Sequence, residues 1–172
     1  MLLSAARLWI LIISNIKTLF LAANPTGTPR LQLDEEIRSI AEKIRASEYR
    51  DMIKVEQAWA VRPDDLIPLL NQHQPQIIHF SGHGSPVGQI ILLDQTGMAK
   101  AVSVEAIDSL FEILKDNIRL VVLNACYSRL QAEAIVKHID CVIGMNTSIA
   151  DQATIKFAAA LYGALGFGRS VQ

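Results

Sequence analysis

The sequence has almost no surplus of charge: sixteen Lys and Arg stand against seventeen Asp and Glu, a formal net charge of −1 over 172 residues. A chain so balanced has little with which to grip a phosphate backbone, which argues against nucleic acid as a partner. It has only two cysteines, Cys126 and Cys141, too few for a disulfide framework. That usage points to a reducing, cytoplasmic compartment. No apolar run reaches the ~20 residues of a membrane-spanning helix. Met1 to Ile13 is interrupted by Ser4 and Arg7, and a second stretch, Thr18 to Ala23, follows Lys17. An arginine inside the run and no convincing cleavage site argue against a secretory signal. Residues 1–16 therefore read as an apolar N-terminal extension, and a membrane is not an expected partner. Repeats and low-complexity segments are absent too. What the chain does have is apolar content, 51% hydrophobic residues, which with the near-zero charge excludes disorder. Its length suits one domain, able to bury roughly 70% of its unfolded surface.

From Lys17 onward the pattern alternates strand and helix. The run KTLFLAA at 17–23 ends in the turn cluster Asn24-Pro25-Thr26-Gly27 and reads as a buried strand. Leu33, Ile37, Ile40, Ala41 and Ile44 recur at helical spacing, with Asp34, Glu35 and Glu36 in the favourable first turn. Met52 to Trp59 predicts a second strand, and Pro63 opens a short helix through Leu70. A third strand, Gln76 to Phe80, runs into Ser81-Gly82-His83-Gly84-Ser85-Pro86. Gln89–Leu93 and Met98–Val102, split by Asp94-Gln95-Thr96-Gly97, predict a β-hairpin. Ser103 can cap a helix carrying Val104, Ile107, Leu110, Phe111 and Leu114. Ile118–Leu123 is strongly strand-like, and a helix at 132–138, a strand at 141–145 and a helix at 150–165 follow. Strands separated by helices imply a mainly parallel sheet with helices on both faces, and ligands bind beyond the carboxyl ends of such strands.

Two of those ends carry reactive side chains. His83 lies three residues past Phe80, between Gly82 and Gly84, and Cys126 lies three residues past Leu123. If the two strands are neighbours, both side chains emerge at one edge of the sheet. A thiol and an imidazole suffice for nucleophilic acyl transfer, the thiolate attacking a carbonyl carbon while the histidine moves protons near neutral pH. The flanking glycines allow close backbone approach and can leave N–H groups for a developing oxyanion. Cys141 and His79, inside apolar strands, read instead as packing residues.

The string HFSGHG at 79–84, followed by VVLNACYS at 121–128, resembles the CHAT-domain family of caspase-like cysteine peptidases, a clan that includes caspases, metacaspases, gingipains and separase. FLAANPTGTPRLQLDEEIRSI at 20–40 looks like the family's opening strand and helix, and VIGMNTSIADQATIKFAAALYGALGFGRSV at 142–171 like its closing strand and helix. The resemblance spans 17–172 and implies a caspase-like three-layer α/β sandwich with a hairpin after the histidine loop. It implies Cys126 as nucleophile, His83 as general acid/base, and the backbone N–H groups of Gly84 and Cys126 as the oxyanion hole. The implied reaction is endoproteolysis of a protein substrate, with no metal or organic cofactor and no third orienting carboxylate. Metacaspases and separase read basic residues with carboxylates; here the position two before the nucleophile, a candidate pocket residue with Asp151, is the neutral Asn124. Asp151 is placed to face the pocket and favour a basic side chain, and reads equally as an acid serving a helix N-terminus. Family relatives commonly join this domain to sensor regions, so a sensor or regulatory partner is expected. The family domain usually continues beyond the point matching Arg169-Ser170-Val171, which implies a C-terminus short of a closing helix.

Other readings compete. A catalytically inactive or truncated interaction module keeps both residues without turnover. A flavodoxin-like nucleotide-binding domain would use Asn24–Thr28 as a phosphate loop. Against it stand Pro29 and Arg30 where the helix should begin, and the lack of an aromatic-rich loop to stack a flavin. GHGSPVG at 82–88 precedes strand-like residues instead of a helix, which removes a dinucleotide-loop mechanism. A zinc site from His79, His83 and Cys126 lacks paired ligand spacing.

Overall fold

A computed structural model describes residues 15–170; the expectation for the extension at 1–16 falls almost wholly outside them. Five parallel strands form the central sheet: β1 (Ile16–Ala22), β2 (Ile53–Trp59), β3 (Ile77–Ser81), β7 (Leu120–Asn124) and β8 (Cys141–Ile143), in the order β2-β1-β3-β7-β8. Between β3 and β7 the chain makes a separate antiparallel sheet of β4 (His83–Gly84), β5 (Ile90–Leu93) and β6 (Ala99–Val102). The expected hairpin is β5–β6. Its Asp94–Gly97 turn is held by Asp94 Oδ1, which accepts the N–H groups of Thr96 (2.7 Å) and Met98 (2.9 Å). Gly97 at φ +83° supplies the left-handed residue that closes it.

β3 and β7 are buried along their whole length, as strands covered on both faces must be. Among the described residues five helices provide the cover: α1 (Leu33–Arg45), α2 (Leu66–His73), α3 (Val104–Leu114), α4 (Arg129–Ile135) and α5 (Asp151–Gly166). On one face Leu66, Leu70, Ile107, Phe111 and Ile135 pack on Leu19, Leu21, Ile78, Phe80, Val121 and Leu123. On the other, Leu33, Ile37, Ile40 and Ile44 of α1 and Ala158 and Tyr162 of α5 pack on Phe20, Ala22, Ile77, Leu120 and Val122. The alternation along β1 of residues facing the two clusters is the period-2 pleat at work. This is the three-layer α/β architecture expected from the sequence.

Local differences have simple causes. The Pro63 segment begins as a 3-10 turn, Pro63–Asp65, before α2 takes over. Ser103 caps α3 as expected, its Oγ accepting Ala106 N–H at 3.2 Å. The strand containing Cys141 is short and lies at the sheet edge, so Cys141 packs against the core while remaining half-buried.

Sheet order sets where function can sit. From β1 the chain moves one way to β2 and then returns to β3 on the other side. The connections leaving β1 and β3 lead to helices on opposite faces, and such a switch point is where doubly wound sheets bind ligands at their carboxyl edge.

Candidate active site

Register brings His83 and Cys126 to the same edge. Ser81 and Asn124 are direct partners at the ends of β3 and β7. Gly82 N–H then donates to the Asn124 carbonyl at 3.3 Å. His83 and Cys126 each follow two residues beyond that last pair. Gly84 fixes the approach: a Cβ there would lie 1.9 Å from the Cys126 carbonyl oxygen, so the backbone after the histidine lies directly against that of the cysteine. Gly82 is equally confined, since a Cβ would come within 2.8 Å of the Ala23 carbonyl oxygen and the Phe80 ring. Gly84→Ala is therefore expected to displace the Cys126 peptide, costing about 1–3 kcal/mol in urea unfolding and reducing the reactivity of Cys126 toward alkylation.

The thiol is half-buried, with Sγ 3.7 Å from Ser148 Oγ and 3.9 Å from the Ile149 carbonyl oxygen. Both neighbours belong to the loop between β8 and α5. The turn after Cys126 is sharp: Tyr127 takes φ +56°, a left-handed conformation that costs a bulky residue of order 1–3 kcal/mol. Ser128 steadies it. Its Oγ donates to the Leu123 carbonyl (3.1 Å) and accepts Met145 N–H (2.9 Å), stapling the β7 loop to the β8 loop.

The His83 ring is oriented by backbone. Nε2 lies 2.9 Å from the Pro29 carbonyl oxygen, which can only accept, so Nε2 carries the proton. In a neutral ring Nδ1 is then the free base. Among the described residues no hydrogen bond joins this ring to Sγ, and such bonds often form only when substrate arrives. Pro29, weighed in the sequence only as an obstacle to a phosphate loop, contributes through an atom that every residue type possesses.

Beneath the edge lies a buried polar cluster. Glu36 is 2% exposed on α1. Its Oε1 accepts His79 Nε2–H (2.8 Å) and Asn124 Nδ2–H (2.5 Å), and its Oε2 accepts the Ser81 hydroxyl. Burial pushes the Glu36 carboxyl up, but the hydrogen bond and charge of His79, with the bonds from Ser81 and Asn124, together carry it below the ordinary glutamate value. His79 is fully buried, its ring 5.1 Å from Phe20 and 5.6 Å from Tyr162 between centroids. Burial, and then the charge of Glu36, push the Tyr162 phenol far above its ordinary value.

The remaining sequence candidates are placed as follows. The Asn124 side chain is 4% exposed and turned to Glu36. Asp151 begins α5 half-buried, its Oδ2 accepting Gln32 N–H at 2.9 Å. His79 faces Glu36 within the core, and among the described residues no group of three or more His, Cys, Asp or Glu is gathered as for a metal. No helix among the described residues is long and apolar enough to cross a membrane.

The α/β sheet thus places a histidine and a cysteine past the ends of neighbouring strands. The CHAT domain model matches residues 5–171, and the chain belongs to the CHAT-domain family of caspase-like peptidases. It is 27% identical over 157 residues to a Roc-COR-CHAT protease of an unknown prokaryotic organism, covering 85% of this chain and 14% of that protein. It is 26% identical over 128 residues to a probable protease of Gillisia limnaea (strain DSM 15749 / LMG 21470 / R-8282), covering 73% and 23% respectively. The chain thus spans under a quarter of the length of either relative. Among solved structures, the Mn(2+)-bound response regulator Rcp1 is similar at a TM-score of 0.47 and 12% identity, over 90% of this chain and 98% of that one.

Proposed function

We propose that the domain is a cysteine endopeptidase in which Cys126 attacks a peptide carbonyl and His83 moves the protons. The observation that carries this reading is the Ser81–Asn124 pairing, two residues short of each reactive group. His83 Nδ1 takes the thiol proton, and the thiolate forms a bond to the carbonyl carbon. The N–H groups of Gly84 and Cys126 hold the resulting oxyanion. Collapse breaks the C–N bond, and the imidazolium returns its proton to the departing amine. Water, deprotonated by the same ring, then cleaves the thioester and restores the thiol. The oxyanion reading draws support from the close backbone contact between Gly84 and Cys126.

Basic residues before the scissile bond are the proposed preference. Asp151 stands two positions after Ile149, whose carbonyl borders the thiol, and Gln32 N–H occupies one of its oxygens. Asn124, the other pocket candidate of the sequence, has its amide on Glu36 and leaves Asp151 as the charge that would read the substrate. A regulator acting on this site fits the multidomain name of the Roc-COR-CHAT relative. One observation favours a second reading, an inactive interaction module: Sγ faces Ser148 and Ile149, while the His83 ring faces Pro29.

Fluorogenic peptides ending in arginine, lysine or aspartate separate these readings. The expected result is cleavage after arginine or lysine, with Asp151→Asn lowering kcat/KM for those peptides by about tenfold, the worth of one charge-assisted hydrogen bond near 1.5 kcal/mol. Folded protein that cleaves none of the three favours the inactive module.

A further inference from the structure

Glu36 joins the two strands that lead to the reactive pair. Ser81 precedes His83 by two residues on β3, and Asn124 precedes Cys126 by two on β7; both side chains donate to the Glu36 carboxylate. Glu36 itself sits in the first turn of α1, whose leading segment carries the Pro29 carbonyl that orients His83. That leading segment is fixed at a second point, where the Asn24 side chain donates Nδ2–H to the Leu31 carbonyl at 3.1 Å. One buried carboxylate thus ties together the strand of the base, the strand of the nucleophile and the helix that begins after the base's backbone acceptor. Apolar residues would fill the same space but could not fix these ends with comparable angular precision, because hydrogen bonds are directional and dispersion contacts are not.

We propose that Glu36 is a positioning residue for the Cys126–His83 pair, acting through Ser81, Asn124 and the start of α1 without touching substrate. This rests on the peptidase reading for its consequence in catalysis, but the positioning itself concerns the geometry of His83 and can be read without turnover.

The chemistry of the three bonds supplies a discriminating substitution. In Glu36→Gln the amide oxygen can keep the bonds from His79 and Asn124. The amide nitrogen, in the place of Oε2, can donate to Ser81 Oγ once that hydroxyl rotates to accept. Geometry is retained and charge is lost. Glu36→Ala loses both, and Asn124→Ala cuts only the arm to the nucleophile strand.

The test uses the full 172-residue chain, with two readouts. The first is the ring 15N–1H spectrum of His83, which reports whether Nε2–H is held on Pro29. The second is kcat and KM on the cleaved peptide. Wild type and Glu36→Gln are expected to keep the Nε2–H signal and similar kcat. Glu36→Ala is expected to lose the ordered signal, with kcat down about 10²-fold, the cost of a misplacement near 1 Å, and KM little changed. Should Glu36→Ala not fold, Asn124→Ala carries the comparison: kcat falls while KM and the His83 signal persist. A folded Glu36→Ala, or failing that Asn124→Ala, with wild-type kcat overturns the proposal. So does a folded Glu36→Gln as impaired as Glu36→Ala, because charge and not geometry would then be at work. A wild-type chain that holds the His83 signal but cleaves nothing overturns the peptidase reading instead; loss of that signal in Glu36→Ala then still supports positioning, and its persistence refutes it.

Discussion

Replacing Cys126 with alanine is expected to abolish peptide hydrolysis, a loss on the order of 10⁶-fold in kcat, as for removal of the nucleophile from other covalent hydrolases. His83→Ala is expected to fall less far, by about 10²–10⁴-fold, since proton transfer can be taken over in part by water. The double variant should be no worse than Cys126→Ala, because the histidine has nothing to activate once the thiol is gone. Both side chains are only half-buried beyond the strand ends, so neither change should greatly alter the urea midpoint. Steady-state kinetics beside an unfolding curve check the distinction. A loss of activity accompanied by loss of fold would point to packing, and a loss with the fold intact to chemistry.

The second large effect falls on stability. Glu36→Ala strips the partner from a fully buried His79 and leaves the Ser81 and Asn124 donors unsatisfied. Breaking a buried pair from one side costs about 3–5 kcal/mol, a large part of the stability of a domain this size. Glu36→Gln, which can keep the three bonds in neutral form, should cost about 1–2 kcal/mol. The same carboxylate makes stability depend on pH. Its folded pKa is held below the ordinary value of 4.5 by His79, Ser81 and Asn124 against the opposing push of burial. The folded state therefore binds fewer protons here than the unfolded state. The stabilisation is present in full above about 4.5 and is lost as pH falls through the lower folded value. Urea midpoints measured between pH 6 and pH 3 should decline more steeply for wild type than for Glu36→Gln.

The strands that carry the site were legible in the sequence because they are fully buried runs ending in turn residues. Ile77–Ser81 and Leu120–Asn124 announce themselves by composition, and position past a strand end singled out His83 and Cys126 from His79 and Cys141. Glu36 was harder to see. Three consecutive acids in a first turn suggest the helix dipole, and for Asp34 and Glu35, which lie exposed, nothing more is needed. Yet Glu36 shares the stripe of Leu33, Ile37, Ile40 and Ile44, and an acid falling on an apolar stripe must find buried partners. That spacing was the available signal. Its partners were hidden, because His79, Ser81 and Asn124 reach Glu36 only through parallel pairing across three segments. The Pro29 contact left no trace in residue type, being made by a backbone carbonyl. Asp151 remained ambiguous because a helix N-terminus and a substrate pocket ask for the same carboxylate.

Peptide hydrolysis here would need one thiol and one imidazole acting together. Its most direct test is to incubate the protein with peptide acyloxymethyl ketones ending in arginine, lysine or aspartate and to locate the adduct by mass spectrometry. A single adduct is expected on Cys126, formed with a basic peptide and lost in His83→Ala, while Cys141 stays unmodified at its sheet edge. Folded protein that forms no adduct with any of the three, or that labels Cys126 equally well without His83, would contradict it.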